Sequence, residues 1–194
     1  QRIRHALYNT SMVIPRFYVP QPLVVGASVI LPEAVANHAV RVLRLQAGDP
    51  LVLFNGQGGA YAGVLQAQVA DDADAPKGKR AGKQSRASTQ RAVQVLLHAF
   101  EPDDRASPLR IALWQGVSAA ERMDTTWQKS VELGVYRCVP IETRRCVARL
   151  DAARAEKRHA HWQGVIVAAA EQCGLNRLPE LCGVRPLADA LREP

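Results

Sequence analysis

The chain has 194 residues and a mass of 21.2 kDa, with 47% hydrophobic and 22% charged residues and a formal net charge of +7 from 25 Lys and Arg against 18 Asp and Glu. Those proportions suit a globular protein with room for one large domain or two small ones, and the basic balance suits a polyanionic partner. Four cysteines are too few for a disulfide scaffold, no apolar run approaches the roughly 20 residues of a membrane-spanning helix, and ordinary Gly and Pro contents exclude wholesale disorder.

Residues 1–11 hold basic side chains but no apolar core of a secretory signal; they read as a tag or upstream extension and stay outside the fold argument. From Ile14 to about Ala70 the pattern is strand-like. Pro15, Pro20 and Pro22 bound a short extended segment, and Ser28–Leu31 is a short apolar strand. Leu51–Phe54 is flanked by Gly48-Asp49-Pro50 and by Asn55-Gly56. Tyr61–Val69 resumes the strand pattern after Gly58-Gly59, which predicts a hairpin turn. One helix is expected over Glu33–Arg44, with Val35, Ala39, Val42 and Leu43 on its apolar stripe. Many short strands around one helix predict a small barrel. Residues 71–90 contain no aliphatic side chain larger than Ala and carry five Lys and Arg, the composition of a disordered basic insertion. Strand pattern returns at Ala92–His98, and residues 101–108 read as a linker.

Beyond Pro108 the pattern changes. Leu109–Val117 is an apolar run suited to a buried strand. Ser118-Ala-Ala-Glu121 matches a capping box, and Met123, Trp127 and Val131 recur at helical spacing up to Gly134. Tyr136–Ile141 is the next strand, which completes a βαβ unit of about 30 residues. A second helix is predicted from an Asp151 N-cap to Gly174, burying Trp162, Val165, Ile166, Ala169 and Cys173. Leu178–Val184 reads as a strand and Leu187–Leu191 as a short helix. Trp114, Trp127 and Trp162 are all expected in the core.

Several site chemistries are missing. Cys138, Cys146, Cys173 and Cys182 form no C-x-x-C pair, and His159 and His161 point to different faces of a helix, so no metal site is expected and the thiols read as reduced cysteines of a cytosolic protein. There is no G-x-G-x-x-G and no phosphate loop; Gly56-Gln-Gly58-Gly59 is a turn with no helix behind it. Arg41 and Arg44, three apart on the predicted helix, would share a face and straddle phosphates. Arg16 stands beside Phe17, an aromatic able to stack on a base, and His38 reads as a packed or capping residue. Residues 137–158 carry seven Lys and Arg against three acids, a second basic patch. The first hundred residues hold 11 basic and 5 acidic side chains, the remainder 14 and 13.

Four segments together resemble one family: IPRFYVPQPL (Ile14–Leu23), ANHAVRVLRLQAGDPLVLFNGQGG (Ala36–Gly59), ERMDTTWQKSVELGV (Glu121–Val135) and HWQGVIVAAAEQCGLNRLPEL (His161–Leu181). In order and spacing they are similar to the RsmE family, the bacterial 16S ribosomal RNA uracil-N3 methyltransferases of the SPOUT, or trefoil-knot, superfamily. The resemblance runs from about Met12 to the C-terminus, interrupted by residues 71–90. It implies an α/β plus β architecture: an N-terminal PUA-like β-barrel over residues 12–100 that binds RNA, then an α/β-knot domain over 109–194 that forms a homodimer. It also implies transfer of a methyl group from S-adenosylmethionine to N3 of a uridine, uridine 1498 of 16S rRNA, in the small ribosomal subunit. The expected compartment is the cytoplasm, with neither a membrane nor a metal involved.

This sequence departs from the family pattern in three ways. Relatives continue through a GPEGG-type segment and an LGPRILRTETA-like stretch that form the knot and most of the cofactor pocket; neither occurs here, so an incomplete knot domain is expected, its cofactor contacts expected in that segment. Relatives read Ser-Glu-Arg where this chain has Thr143-Arg144-Arg145, and EQ-S/C-G-R-N-R where it has Glu171 to Arg177 with Leu175 in place of an Arg. By resemblance, Arg145, Gln172, Asn176 and Arg177 are donors for the uracil anion, and Glu171 is a general base or the orienter of an Arg; a helix-terminal carboxylate paired with Arg177 is the alternative. Arg16, Arg41, Arg44 and Lys129 are expected to bind RNA, though Lys129 with Glu132 also makes an ordinary i, i+3 pair on a solvated helix face. The rival reading of the whole chain is a non-catalytic RNA-binding or assembly module.

Overall fold

The computed structural model describes residues 14–66, 92–103, 105–144, 146 and 151–192. The expected tag, the basic insertion and Arg145 lie outside the described residues. The chain forms two compact units: residues 1–53 with 61–100, and residues 54–60 with 101–194.

The first unit is built on a five-stranded sheet. Its strands are β1 (Arg16–Tyr18), β2 (Ser28–Ile30), β3 (Pro50–Phe54), β4 (Ala60–Leu65) and β5 (Gln94–Glu101), in the order β1-β3-β4-β5-β2. β3 runs antiparallel to β4 with Leu51 opposite Gly63, and β2 antiparallel to β5 with Val29 opposite Val95. Side chains two apart share a face of a strand, so Leu51 and Leu53, and Val95 and Leu97, all point into one core with Phe17, Val19, Val29 and Leu65. Gly63 is required where β4 meets β5: a Cβ there would lie 2.7 Å from a Val95 methyl and 2.9 Å from the Leu96 carbonyl oxygen.

The single helix of this unit is shorter than the sequence predicts. α1 (Glu33–Asn37) passes into a π-helical turn at His38–Val42, closed by the Leu43 N–H donating five residues back to the His38 carbonyl at 3.0 Å. The wider turn shifts the buried stripe to Val35, Ala36, Ala39 and Val40, and leaves Val42 67% exposed and Leu43 outside the core. Arg44 follows the helix end with φ +57°. The expected shared face of Arg41 and Arg44 is therefore corrected: one lies in the π turn and the other beyond the last helical residue.

The second unit contains a parallel sheet. β6 (Ala112–Gly116), α2 (Ala120–Glu132) and β7 (Arg137–Glu142) make the predicted βαβ unit, with Trp114 in register with Val139. α3 (Ala152–Cys173) follows, then β8 (Glu180–Leu181), β9 (Arg185–Pro186) and α4 (Leu187–Ala190). β8 and β9 both pair with β7 in parallel, one near its start and one at its end. The expected strand Leu178–Val184 is thus two short strands separated by Cys182–Val184.

Met123, Trp127 and Val131 of α2 are fully buried, as are Trp162 and Ile166 of α3, and the two indoles meet edge to face with centroids 6.1 Å apart. α2 ends in a Schellman motif: Gly134, at φ +78°, donates to the Val131 carbonyl while Val135 donates to that of Ser130. α3 is capped as expected, the Asp151 carboxylate accepting from the Arg154 N–H at 2.8 Å. Two expectations fail here. The N-cap of α2 is Ala119 with no side-chain bond, so the capping box at Ser118 does not form: the helix starts one residue later than the box requires. Trp114 is 42% exposed; among the described residues β6 pairs with β7 alone.

Candidate functional site

A groove with a cavity volume of about 580 Å³ opens at the C-terminal ends of β7 and β9, lined by Glu142, Thr143, Arg144, Pro186, Leu187, Ala188 and Leu191. Pairing of Ile141 with Arg185 and of Glu142 with Pro186 brings these two segments together from over 40 residues apart. In open parallel sheets the carboxyl ends of the strands are where ligands bind. Pro186, Leu187, Ala188 and Leu191 supply an apolar wall, while Glu142, Thr143 and Arg144 supply a carboxylate, a hydroxyl and a guanidinium, the mixed lining of a small-molecule site.

The Thr143–Cys146 turn that edges this groove is tied down by a thiol. Cys146 Sγ accepts from the Thr143 N–H at 3.3 Å and from the Thr143 hydroxyl at 3.5 Å, and its S–H donates to the Val117 carbonyl at 3.3 Å. One side chain therefore links the exits of β6 and β7. Deeper in the same sheet, burial pushes the Cys138 thiol up to about 12, helped by the nearby Cys182. The Arg137 guanidinium, whose Nε donates to Cys182 Sγ at 3.3 Å, is held above its ordinary value by that hydrogen bond. All four cysteines are free.

A second feature lies just past α3. Gly174, at φ +83°, ends the helix, and Asn176 is only 4% exposed. Its Nδ2 donates to the Asp103 carbonyl at 3.0 Å. Its own carbonyl accepts from Gly58 N–H at 3.2 Å, and Leu178 N–H donates to the Gly56 carbonyl at 3.1 Å. Arg177 between them forms β-bridges with Gly56 and Gln57, so the β3–β4 hairpin tip and the 176–178 segment are joined.

The sequence-predicted residues thus fall into separate places. Arg144 lines the groove, while Glu171, Gln172, Asn176 and Arg177 are absent from its lining. Gln172 and Arg177 are exposed and Glu171 is half-buried. Lys129 makes the i, i+3 pair, its Nζ 2.7 Å from Glu132 Oε2. Phe17 is 2% exposed in the core, edge-on to the His38 ring at 5.8 Å, which corrects the expectation that it stacks on a base beside Arg16. Glu142 and the 186–191 wall were not foreseen; the only signal for them was their position at strand ends.

Among the described residues no group of His, Cys, Asp and Glu is placed to hold a metal ion, and no helix is long and apolar enough to cross a membrane. Residues 105–194 match the model of an RNA methyltransferase domain and residues 31–68 that of an RNA methyltransferase PUA domain. The chain is 25% identical over 169 residues to ribosomal RNA small subunit methyltransferase E of Buchnera aphidicola (Schizaphis graminum), covering 87% of this chain and 60% of the relative. Against the Bacillus subtilis protein of that name it is 23% identical, covering 80% and 53%. A crystal structure of ribosomal RNA small subunit methyltransferase E from Neisseria gonorrhoeae bound to S-adenosyl methionine superposes with a TM-score of 0.78 at 34% identity, covering 93% of this chain and 66% of that one. The chain belongs to the RsmE family. A putative methyltransferase from Legionella pneumophila in complex with the bound cofactor SAM is similar at 30% identity and a TM-score of 0.79, again over 93% and 66%. The RsmE-like chain described here therefore spans a little over half the length of the curated relatives it matches, 60% and 53%, and 66% of the two solved structures. Within the family, its first unit holds the PUA-domain match apart from residues 54–60, and its second unit the methyltransferase-domain match.

Proposed function

We propose that this chain carries the RNA-binding and methyl-transfer domains of an S-adenosylmethionine-dependent enzyme acting on N3 of a uridine, uridine 1498 by family resemblance, in 16S rRNA of the small ribosomal subunit. The observation that carries the reading is the groove at the C-terminal ends of β7 and β9, together with the bound S-adenosylmethionine in two relatives of the same fold. The residues present fit part of that molecule, with further contacts expected in the GPEGG-type segment. The apolar Pro186–Leu191 wall suits an adenine face, Glu142 suits ribose hydroxyls or an ammonium, and Arg144 suits a carboxylate. When bound, S-adenosylmethionine supplies an electrophilic methyl group on a sulfonium.

The chain's own residues have three tasks. N3 lies on the Watson–Crick edge of uracil, so the base must be held unpaired and out of the stack. Its N3 proton must leave, and Glu171 is the carboxylate proposed to take it or to orient Arg177. The resulting charge on O2 and O4 needs preorganised donors, for which Arg145, Gln172 and Arg177 are the proposed set. Arg16, Arg41 and Arg44 of the first unit, and Lys129 of α2, are the proposed phosphate contacts. A homodimer built through a knotted second unit, acting in the cytoplasm, completes the proposal.

Calorimetric titration of the 194-residue chain with S-adenosylmethionine tests it, alongside binding of a uridine-containing 16S fragment. The reading expects both to bind. Cofactor silence with intact RNA binding, in this chain and in a version extended through the GPEGG-type segment, favours a non-catalytic RNA-binding module; binding by the extended version alone places the missing cofactor contacts in that segment. Where methyl transfer is measured with labelled cofactor, the label is expected on N3-methyluridine, and label on another base overturns the assignment of the reacting atom.

A further inference from the structure

Asn176 and Ser130 are the two buried polar side chains among the described residues. Ser130 donates to Thr126 within its own helix, whereas Asn176 donates across 73 residues of sequence to the Asp103 carbonyl. A buried amide retained in a loop must be hydrogen-bonded or it costs roughly 1–3 kcal/mol, and here one of its N–H groups donates to main chain. The Asn176 amide is therefore a tie within the protein.

What it ties is the backbone on both sides of Arg177. The Gly58 N–H holds the Asn176 carbonyl, the Gly56 carbonyl holds the Leu178 N–H, and Arg177 itself bridges to Gly56 and Gln57. The hairpin tip is shaped for this contact: Gly56 has φ +80° and Gly58 φ +106°, and a Cβ on Gly56 would lie 3.1 Å from Leu178 Cγ. Connecting Gly174 to β8 at Glu180 needs a few residues of loop and no such fixation. Its consequence is that an exposed arginine, three residues past a helix end where a loop ordinarily loses order, has a backbone with little entropy left to lose on binding.

We propose that Asn176 is a positioning residue which, with the Gly56–Gly58 tip, presents Arg177 to the RNA substrate. The inference rests on the reading above that Arg177 contacts RNA, and it moves Asn176 from a donor to uracil to the residue that sets the adjacent guanidinium.

The test measures binding of a uridine-containing 16S fragment to the full 194-residue chain over a salt series, for Arg177→Ala, Asn176→Ala and the double variant, with thermal unfolding followed in parallel. Arg177→Ala is expected to weaken binding about fivefold and to flatten the log–log salt slope by about 0.7–0.9, the contribution of one phosphate contact. Asn176→Ala is expected to flatten the slope similarly although it removes no charge, and the double variant to add nothing further. General destabilisation lowers the active fraction without changing the slope, so a lowered melting temperature with an unchanged slope overturns the positioning role. An Arg177→Ala variant that binds as well as the parent overturns the underlying reading instead. If Asn176→Ala does not fold, Gly56→Ala attacks the same joint from the hairpin side; it is expected to flatten the slope, and an unchanged slope there equally overturns the proposal.

Discussion

The Cys146 thiol lies 3.3 Å from the carbonyl oxygen of Val117, 29 residues earlier in the chain, and so joins the exits of two neighbouring parallel strands. The same sulfur accepts from the Thr143 N–H, which places the bond beside the groove wall at Thr143 and Arg144. Replacing Cys146 with Ala removes both links and leaves main-chain groups to find water. The expected loss is about 0.5–1.5 kcal/mol of stability, read as a lower urea midpoint, with weaker S-adenosylmethionine binding. Cys146→Ser, which keeps a donor and an acceptor, is expected to recover most of both. An Ala variant as stable as the parent contradicts the role given to the thiol.

Cys138 is buried and its thiol is pushed up to about 12, by burial first and by Cys182 second. Two consequences follow from the sign of that shift. At pH 8 the folded protein holds almost none of this thiol as thiolate, so Cys138 is expected to resist alkylation until the protein unfolds. Between the ordinary thiol range and about 12 the folded state binds more protons than the unfolded one, so this group's contribution to stability is full below about pH 8.5 and falls as pH rises. Mass-spectrometric mapping of alkylation over pH 7–10, in native buffer and in urea, checks the first. Rapid native labelling of Cys138 contradicts it.

Trp127 and Trp162 carry the contact between α2 and α3, and both indoles are essentially inaccessible to solvent. Trp127→Ala is expected to cost about 3–5 kcal/mol, the range for emptying a large aromatic site. Trp127 Nε1 is buried with no hydrogen-bond partner among the described residues. Trp127→Phe removes that orphan donor while keeping a ring in place, and is expected to cost markedly less than Ala. Urea unfolding of the two variants gives the comparison, and equal losses contradict it.

How much of this was legible in the sequence depended on how local the deciding physics is. The spacing of Met123, Trp127 and Val131 marks one helix face, and all three are buried. Trp114 looks the same in a sequence window, yet it is 42% exposed, because cover depends on what packs beside β6, which a sequence window does not carry. The capping box at Ser118 satisfied its pattern, but the helix starts one residue later, with Ala119 at its N-cap. The groove shows the same limit. The family resemblance gave Arg145 as a donor and marked Thr143 and Arg144 only as departures from the family pattern, while Pro186 to Leu191 carried no chemical signal until the pairing of β9 with β7 set them opposite residues 142–144.

The separation of Arg41 from Arg44 changes what their substitution is expected to do. Arg41 lies in the π turn and Arg44 beyond it at φ +57°, so the two are not related by a regular i, i+3 helical step. Each Ala substitution is expected to lower the salt slope of RNA binding by about 0.7–0.9, with the double variant close to the sum. A double variant no worse than either single one contradicts independent contacts.

The groove between residues 142–144 and 186–191 is the proposed seat of S-adenosylmethionine. Hydrogen–deuterium exchange of the chain with and without saturating S-adenosylmethionine locates the ligand directly. Slowed exchange is expected in peptides covering 142–144 and 186–191, with loss of that protection in Leu187→Asp, which places a charge in the apolar wall. Unchanged exchange in both segments, or protection that survives Leu187→Asp, contradicts it.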